Sequence, residues 1–312
     1  MGNFSVKSQK LKVKSRKSNQ RSTTEGVKVE RAAAHYAFVF VFAFAFTACG
    51  DADVTGLIAG TSEGVEKRAE YSLSWNEANG FQTIISSQDD YQLCIVGDTH
   101  FGTSENFAKV EAVAENSTLA IVVVGDISTG KKDDYQKAAE LFANSTSKII
   151  PVIGNHDLYF GGWQYFKEYF GSSMYYFEVQ TPAAKDLHIC LDSGNGTLGK
   201  TQTNWLKDVF STKRANYRHC FVYSHTNMYR SNWSQSPSSN MPLEETYRLM
   251  DLFSKNRVNA VIMAHDHSRE EIVFNKVQYI TLDALLDGAK NASYVIMTVD
   301  KGFAYQFNLI AE

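Results

Sequence analysis

The chain has 312 residues and a formal net charge of −3, but residues 1–31 carry nine Lys or Arg against Glu25 and Glu30, so everything beyond them sums to −10. A body that acidic has no general field drawing in polyanions, which argues against DNA or RNA as the natural partner and for a small-molecule one. The 264 residues beyond position 48 are enough for one large domain with a substantial core.

The basic run is followed by an uncharged segment, 32–48, built mostly of Ala, Phe and Val and ending at Cys49-Gly50-Asp51. A basic region, a short apolar stretch and small residues before a Cys are the parts of a secretory signal. A single membrane-spanning helix is the competing reading, but 17 residues interrupted by His35 and Thr47 are short for a bilayer. Thr47-Ala48-Cys49 resembles the lipobox of bacterial lipoproteins, with Phe46 where Leu is commoner. That resemblance implies cleavage, acylation of Cys49, and a membrane-anchored protein facing the periplasm or the cell exterior. The basic region is long for a signal, and a translation start near Val27 or Val29 would leave one of ordinary length. Val6 stands where an N-myristoyl signal needs Ser or Thr. Residues 49–70, small, polar and charged without apolar period, read as a flexible tether, leaving 71–312 as the folded domain.

Within that domain, 71–91 contains Trp75, Phe81 and Ile84-Ile85 and is expected to add an edge strand or a cap. From Gln92 the pattern becomes regular, with strands expected at 92–97, 119–124 and 148–153 separated by helices at about 104–116 and 131–144. Strand and helix alternating at this spacing imply βαβ units and a parallel core sheet. No glycine-rich phosphate loop of the Walker or dinucleotide type follows any of these strands. A helix is expected over 162–170 with Trp163, Phe166 and Phe170 as core contacts, then strands at 175–179 and 187–191 and a loop at 192–196. The next helix opens at 201–206 with Thr201 as its cap. The run 221–224 delivers His225 into a long polar loop, 226–242, of the kind that is usually functional. Helix 243–256 and strand 258–264 lead to His265-Asp266-His267, and the tail (270–274, 277–281, 293–299, 303–309) alternates like antiparallel strands. Cys94, Cys190 and Cys220 each sit inside an apolar run and read as buried thiols, although an exported protein can pair two of them.

Gly154-Asn155-His156-Asp157 alone is explained by a turn, since Gly, Asn and Asp all suit turn geometry. Recurrence overturns that reading. Asp98-Thr99-His100, Gly125-Asp126, His225 and His265-Asp266-His267 also stand at the ends of strand-like runs, and turn chemistry does not demand histidine. Five of the eight histidines are in this set; His35 lies in the signal, and His188 and His219 read as structural. Carboxylates, imidazoles and one amide oxygen suit borderline divalent metals such as Zn, Mn or Fe. Eight candidates exceed what one ion needs, so two ions sharing a bridging carboxylate is the economical arrangement, the clamp used for in-line displacement at phosphorus.

The order Asp-x-His, Gly-Asp, Gly-Asn-His-Asp, His, x-His-x-His over residues 98–267 resembles the calcineurin-like metallophosphoesterases. The resemblance implies an α/β fold with a central β-sandwich of mixed sheets flanked by helices in α/β/β/α order. It implies metal-dependent hydrolysis of a phosphomonoester or phosphodiester at two divalent ions. Asp98, His100 and His267 would hold the first ion, Asn155, His225 and His265 the second, and Asp126 would bridge them. His156 would be catalytic, stabilising the transition state or protonating the leaving oxygen, with Asp157 orienting it. His265 and His267, two apart, are expected to face one side of an extended segment. Two departures stand out: Ala264 replaces the family's Gly before the last His pair, and Ile127-Ser128-Thr129 lacks a further acidic or amide residue. Tyr159, Phe160, Trp163, Asn227, Tyr229, Arg230 and Trp233 are candidates to line the mouth, where aromatics would stack a base and Arg230 would grip a phosphate. Monoester, diester and pyrophosphate substrates all stay open, and a catalytically silent scaffold of the same fold is the alternative.

Overall fold

The computed structural model describes residues 63–101, 104–230, 236–237 and 240–310. The signal, the lipobox, most of the tether and Trp233 lie outside the described residues.

Helix α1 (Val65–Asn79) opens the described chain. Residues 65–70, expected as tether, are therefore helical. The reason is chemical: the face α1 buries consists of Arg68, Ala69, Ser72 and Asn76, so it has no apolar period to read. Next comes β1 (Gln82–Ile85), the edge strand expected in this region, paired parallel with β5 (Tyr175–Gln180).

The five-stranded sheet has the order β14-β13-β2-β3-β4. Its parallel half is β2 (Tyr91–Val96), β3 (Ile121–Val124) and β4 (Ile149–Val152); β13 (Ser293–Val299) runs antiparallel to β2 and to the edge strand β14 (Phe303–Leu309). The seven-stranded sheet has the order β1-β5-β6-β7-β10-β12-β11, and the short β8 (Tyr229–Arg230) and β9 (Ser236–Pro237) pair with each other in a separate two-stranded ribbon. Here β6 (Lys185–Leu191), β7 (Cys220–Ser224), β10 (Ala260–Met263) and β12 (Val277–Thr281) are parallel, while β5 and β11 (Glu270–Phe274) are antiparallel to their neighbours β6 and β12.

Strand periodicity sorts the side chains between layers. In β2, Leu93 and Ile95 point into the core between the sheets with Val122, Ile150, Phe177, Phe221 and Ile262, while Cys94 and Val96 point outward. That outward face of the five-stranded sheet is covered by α2 (Glu105–Ala114), α3 (Lys132–Asn144) and α4 (Trp163–Tyr169), through Phe107, Val110, Tyr135, Trp163 and Phe166. The outer face of the other sheet is covered by α5 (Gly199–Thr212) and α6 (Leu243–Lys255), through Leu206, Phe210, Leu249 and Phe253. The layers are thus α/β/β/α, as the resemblance implies, and strands such as β3 that are covered on both faces read as unbroken apolar runs.

Two helix N-termini are capped by carboxylates from distant elements. Asp287 accepts from the amides of Glu105 and Asn106 at 3.0 and 2.8 Å at the start of α2. Glu66 of α1 accepts from the amides of Lys200 and Thr201 at the start of α5, so Thr201 lies inside the helix and does not cap it. The three cysteines are free and buried.

His188 confirms a structural role. Its Nε2 meets the Tyr91 hydroxyl at 2.9 Å and its Nδ1 the Tyr223 hydroxyl at 3.0 Å, joining one sheet to the other across the core. The ring stacks on Phe177 at 4.6 Å. Burial pushes this imidazole down to about 3, with Asp186 opposing the shift only in part. The folded state therefore binds fewer protons here than the unfolded chain, whose histidine titrates near 6.5. Stability from this group is full above pH ~6.5 and declines as pH falls toward 3, by about 1.4 kcal/mol per pH unit within that window. Urea unfolding followed between pH 7 and 4 is expected to show that slope, and His188→Phe to flatten it.

Candidate metal centre

All the motif residues stand where parallel strands leave the core at their carboxyl ends. Asp98 and His100 follow β2, Asp126 follows β3, and Asn155 and His156 follow β4, all from the five-stranded sheet. His225 follows β7, and His265 and His267 follow β10, from the other sheet. The cluster therefore forms where the two sheets' strand ends meet, the usual location of chemistry in α/β folds. Asp98, His100, Asp126, His265 and His267 all have left-handed backbone, with φ of 50°, 39°, 51°, 77° and 53°. His265 and His267 are thus not on an extended segment. Each is aimed by its own left-handed turn, His265 toward Asn155 and His267 toward Asp98.

Three sets of donor atoms converge: Asp98, His100 and His267; His100, Asp126 and His156; and Asp126, His225 and His265. His267 Nε2 is 3.4 Å from Asp98 Oδ1. The Asn155 amide oxygen lies 3.0 Å from His225 Nε2 and 2.8 Å from His265 Nδ1. Asp126 stands between these halves, with Oδ2 3.6 Å from His100 Nε2, 3.2 Å from His225 Nε2 and 3.9 Å from His156 Nε2. Both carboxylates are held by the backbone: Asp98 Oδ2 accepts from the His265 amide at 3.0 Å and Asp126 Oδ1 from the His156 amide at 2.8 Å. Asp98 Oδ1 and His100 Nε2 are buried without a hydrogen-bond partner. Buried polar atoms are normally satisfied, so two orphans aimed into one cluster of carboxylate, imidazole and amide donors fit a divalent cation.

Electrostatics agree. Burial raises the Asp98 and Asp126 carboxyls, but the surrounding histidines, His225 and His267 foremost, outweigh it and hold both below the usual range. His225 is desolvated, yet Asp126 more than offsets this and carries it up to about 10. His267 is raised by its contact with Asp98. His265 is pushed down to about 4 by burial and by His225, and burial also lowers His100. His225 Nδ1 lies 3.0 Å from the Val124 carbonyl, which can only accept, so Nδ1 carries hydrogen and Nε2 is the atom presented to a metal.

Asp157 does not touch the His156 imidazole. Its buried carboxylate accepts from the amides of Gly154, Ser128 and Ile127 at 2.9, 2.8 and 3.2 Å and from Ser128 Oγ at 3.1 Å. It ties the turn after β3 to the turn after β4. Burial and the nearby Asp126 raise this carboxyl to about 7. The His156 ring instead packs on Tyr159 at 4.6 Å and edge-on to His100 at 4.5 Å, and Asn155 Nδ2 donates to the Tyr159 hydroxyl at 3.2 Å. Tyr159 is thus part of the centre's frame.

Among the other expected mouth residues, Trp163 is buried against Tyr71 and Phe166 and lines the helix core. Arg230 is engaged by Asp266, through Nε at 2.6 Å and through Nη2, and Asn227 Nδ2 donates to the same carboxylate. Asp266, between the two histidines, thereby fastens the start of the 226–242 loop to the metal-facing turn. The sequence marks Asp266 only as the variable position between two histidines, and its partners Asn227 and Arg230 lie in another element, so its role is not legible there. Phe160 lies under the Lys131 ammonium at 5.2 Å.

The sequence profile of the calcineurin-like phosphoesterases matches residues 91–269, more than half of the chain, and the chain belongs to this family. No curated protein matches it. Among solved structures it resembles GAP50, the anchor in the inner membrane complex of Plasmodium, with a TM-score of 0.56 and 14% identity, over 70% of this chain and 84% of that one. It also resembles purple acid phosphatase PPD1 from yellow lupin seeds, with a TM-score of 0.53 and 11% identity, over 72% of this chain and 52% of that one. The chain therefore spans about half of the lupin enzyme's length. At these identities the likeness establishes the fold.

The family departure at Ala264 has a steric counterpart. A Cβ on Gly97 would lie 2.7 Å from the Ala264 Cβ, so the methyl at 264 occupies space that glycine at 97 leaves open. Gly97→Ala is expected to destabilise the protein by about 1–3 kcal/mol through overpacking, and Gly97→Ala/Ala264→Gly to recover most of that loss in chemical denaturation.

Proposed function

We propose that this protein hydrolyses a small-molecule phosphoester, a monoester or a diester, at a dinuclear divalent-metal centre. Asp98, His100 and His267 hold one ion, Asn155, His225 and His265 the other, and Asp126 is shared. The observation that carries this reading is the convergence of these seven donors from both sheets, with buried Asp98 Oδ1 and His100 Nε2 lacking a hydrogen-bond partner. Bound ions of the zinc, manganese or iron type supply Lewis-acid charge and a water of lowered pKa. Two carboxylates against two divalent ions leave an excess of positive charge, suited to a phosphoester anion. The largely buried His156 imidazole, held by Tyr159 and His100 and with its amide fixed on Asp126, is the group we assign to protonate the leaving oxygen. Asp157 acts on the turns and reaches the reaction only through them.

A scaffold role is the second reading, favoured by the likeness to a protein named as an anchor. Fold does not decide function, and the complete donor set favours hydrolysis. The acidic body favours a small-molecule substrate over a polynucleotide.

Turnover of a chromogenic phosphate monoester or diester with Mn²⁺ or Zn²⁺ added is the direct test. Asp126→Asn is expected to remove activity and lower metal content. His156→Gln is expected to lower kcat roughly 10²–10⁴-fold, the usual worth of a proton-transfer group, with metal content retained. Unchanged turnover in either variant would sink the assignment.

We also propose export and lipid anchoring through Cys49, supported by the basic run, the apolar segment 32–48 and Thr47-Ala48-Cys49. Among the described residues no helix is long and apolar enough to cross a membrane. Cys49→Ala is expected to move the protein from the membrane fraction and abolish metabolic labelling with a fatty acid; continued labelling would refute the anchor.

A further inference from the structure

The family profile begins at residue 91, yet the most completely buried cation of the described chain, Arg68, lies before it on α1. Its guanidinium donates from Nε and Nη2 to the two oxygens of Asp192, each at 2.8 Å, and from Nη1 to Asn195 Oδ1 and the Glu63 carbonyl, each at 2.7 Å. Asp192 also accepts from Ser173 Oγ at 2.7 Å, and Ser173 is bonded in turn to Ser72 of α1. An arginine held by two oxygens of one buried carboxylate has its geometry fixed by the planar fork.

The loop so fixed, 192–195, bears on the metal centre from its other side. Ser193 Oγ accepts from the Thr226 amide at 2.9 Å and from Ser224 Oγ at 3.1 Å, and the Ser193 carbonyl accepts from Thr226 Oγ1 at 2.7 Å. These contacts grip both chain neighbours of His225. A Cβ on Gly194 would lie 2.7 Å from the Gly154 carbonyl, so this loop also lies directly against the turn that presents Asn155. His225 and Asn155 belong to the same half of the centre, while nothing in this chain of contacts touches Asp98, His100 or His267.

We infer that Arg68 and Asp192 are positioning residues for the Asn155–His225–His265 half of the centre, and that α1, outside the residues the family profile matches, is needed to complete that half. The inference rests on the dinuclear reading. It makes the two ion sites unequal: one is built within the strand ends of the five-stranded sheet and the His267 turn, the other depends on a clamp supplied by the segment that links the domain to its N-terminal region. Groups that orient metal ligands typically change affinity 10–100-fold when removed.

The test is calorimetric titration of the full chain with Mn²⁺, with His265→Ala and His267→Ala as references for the two binding steps. Arg68→Met is expected to weaken the step that His265→Ala removes by about tenfold or more while leaving the step that His267→Ala removes, and Arg68→Lys, which keeps charge without the fork, to fall between. Wild-type affinity for both ions, or equal weakening of both, overturns the inference. If Arg68→Met does not fold, Arg68→Met/Asp192→Leu, which removes both charges together, is read in the same way, since a buried pair replaced by apolar groups is often tolerated. If the wild-type chain binds no ion, the dinuclear reading fails, and the positioning is then judged on the proton resonance of the His225 Nδ1–H bonded to Val124: its loss in Arg68→Met supports the clamp and its persistence refutes it.

Discussion

Two carboxylates withdrawn from water set the terms for this structure. Asp98 and Asp126 are 0% and 1% exposed, and a buried unpaired carboxylate is among the most costly features a fold can carry. They persist because imidazoles surround them closely enough to reverse the effect of burial on both. The compensation is mutual, since His225 is raised to about 10 by Asp126 even though its own burial works the other way. Removing any one partner would strand a charge on another. The centre therefore behaves as one electrostatic unit.

The backbone pays a matching strain. Ten non-glycine residues have positive φ among the described residues, and five of them are Asp98, His100, Asp126, His265 and His267. Each such residue costs about 1–3 kcal/mol and survives only where its surroundings over-determine it. They do so here through backbone bonds between turns: the Asp98 amide to the Gly125 carbonyl at 3.1 Å, the His100 amide to the Asp126 carbonyl at 2.9 Å, the Ala264 amide to the His225 carbonyl at 3.0 Å, and the Leu285 amide to the Gly97 carbonyl at 2.9 Å. The last of these joins a turn of one sheet to a turn of the other, and the first three join neighbouring strands within a sheet. The sandwich core thus fixes the relative position of the strand ends, and the strand ends hold the ligands.

This division explains what could be read from sequence. The strands were legible because layers on both faces make them continuous apolar runs, and the cluster at their ends because histidine recurs where turn chemistry does not call for it. The helix α1 was not, since its buried face is Arg68, Ser72 and Asn76, polar groups whose partners Asp192, Ser173 and the Met174 carbonyl lie about a hundred residues or more away. The cap of α5 failed for the same reason: Thr201 suits the position, but Glu66 fills it from another element. Asp157 looked like a partner for its neighbour His156, whereas a side chain in so tight a turn reaches back to the amides of Gly154 and Ser128 more readily than sideways to an adjacent ring. Local patterns report local bonds; these depend on tertiary partners.

The donor geometry of one half of the cluster fits the metal centre proposed for it. Asn155 Oδ1, His225 Nε2 and His265 Nδ1 form a triangle with sides of 3.0, 2.8 and 3.2 Å. His225 Nδ1 already donates to Val124, so any hydrogen on Nε2 belongs to the charged ring that Asp126 favours, and His265, pushed down to about 4, is neutral. If both nitrogens of the triangle donate to the amide oxygen, two N–H groups face each other across 3.2 Å; if either does not, a lone pair is left buried beside another acceptor. With the amide oxygen in this orientation, one contact of the triangle is always between two acceptors or two donors. A single cation among them would let all three act as acceptors, with Asp126 Oδ2, 3.2 Å from His225 Nε2, as a fourth donor, which is what the proposed centre asks of this half.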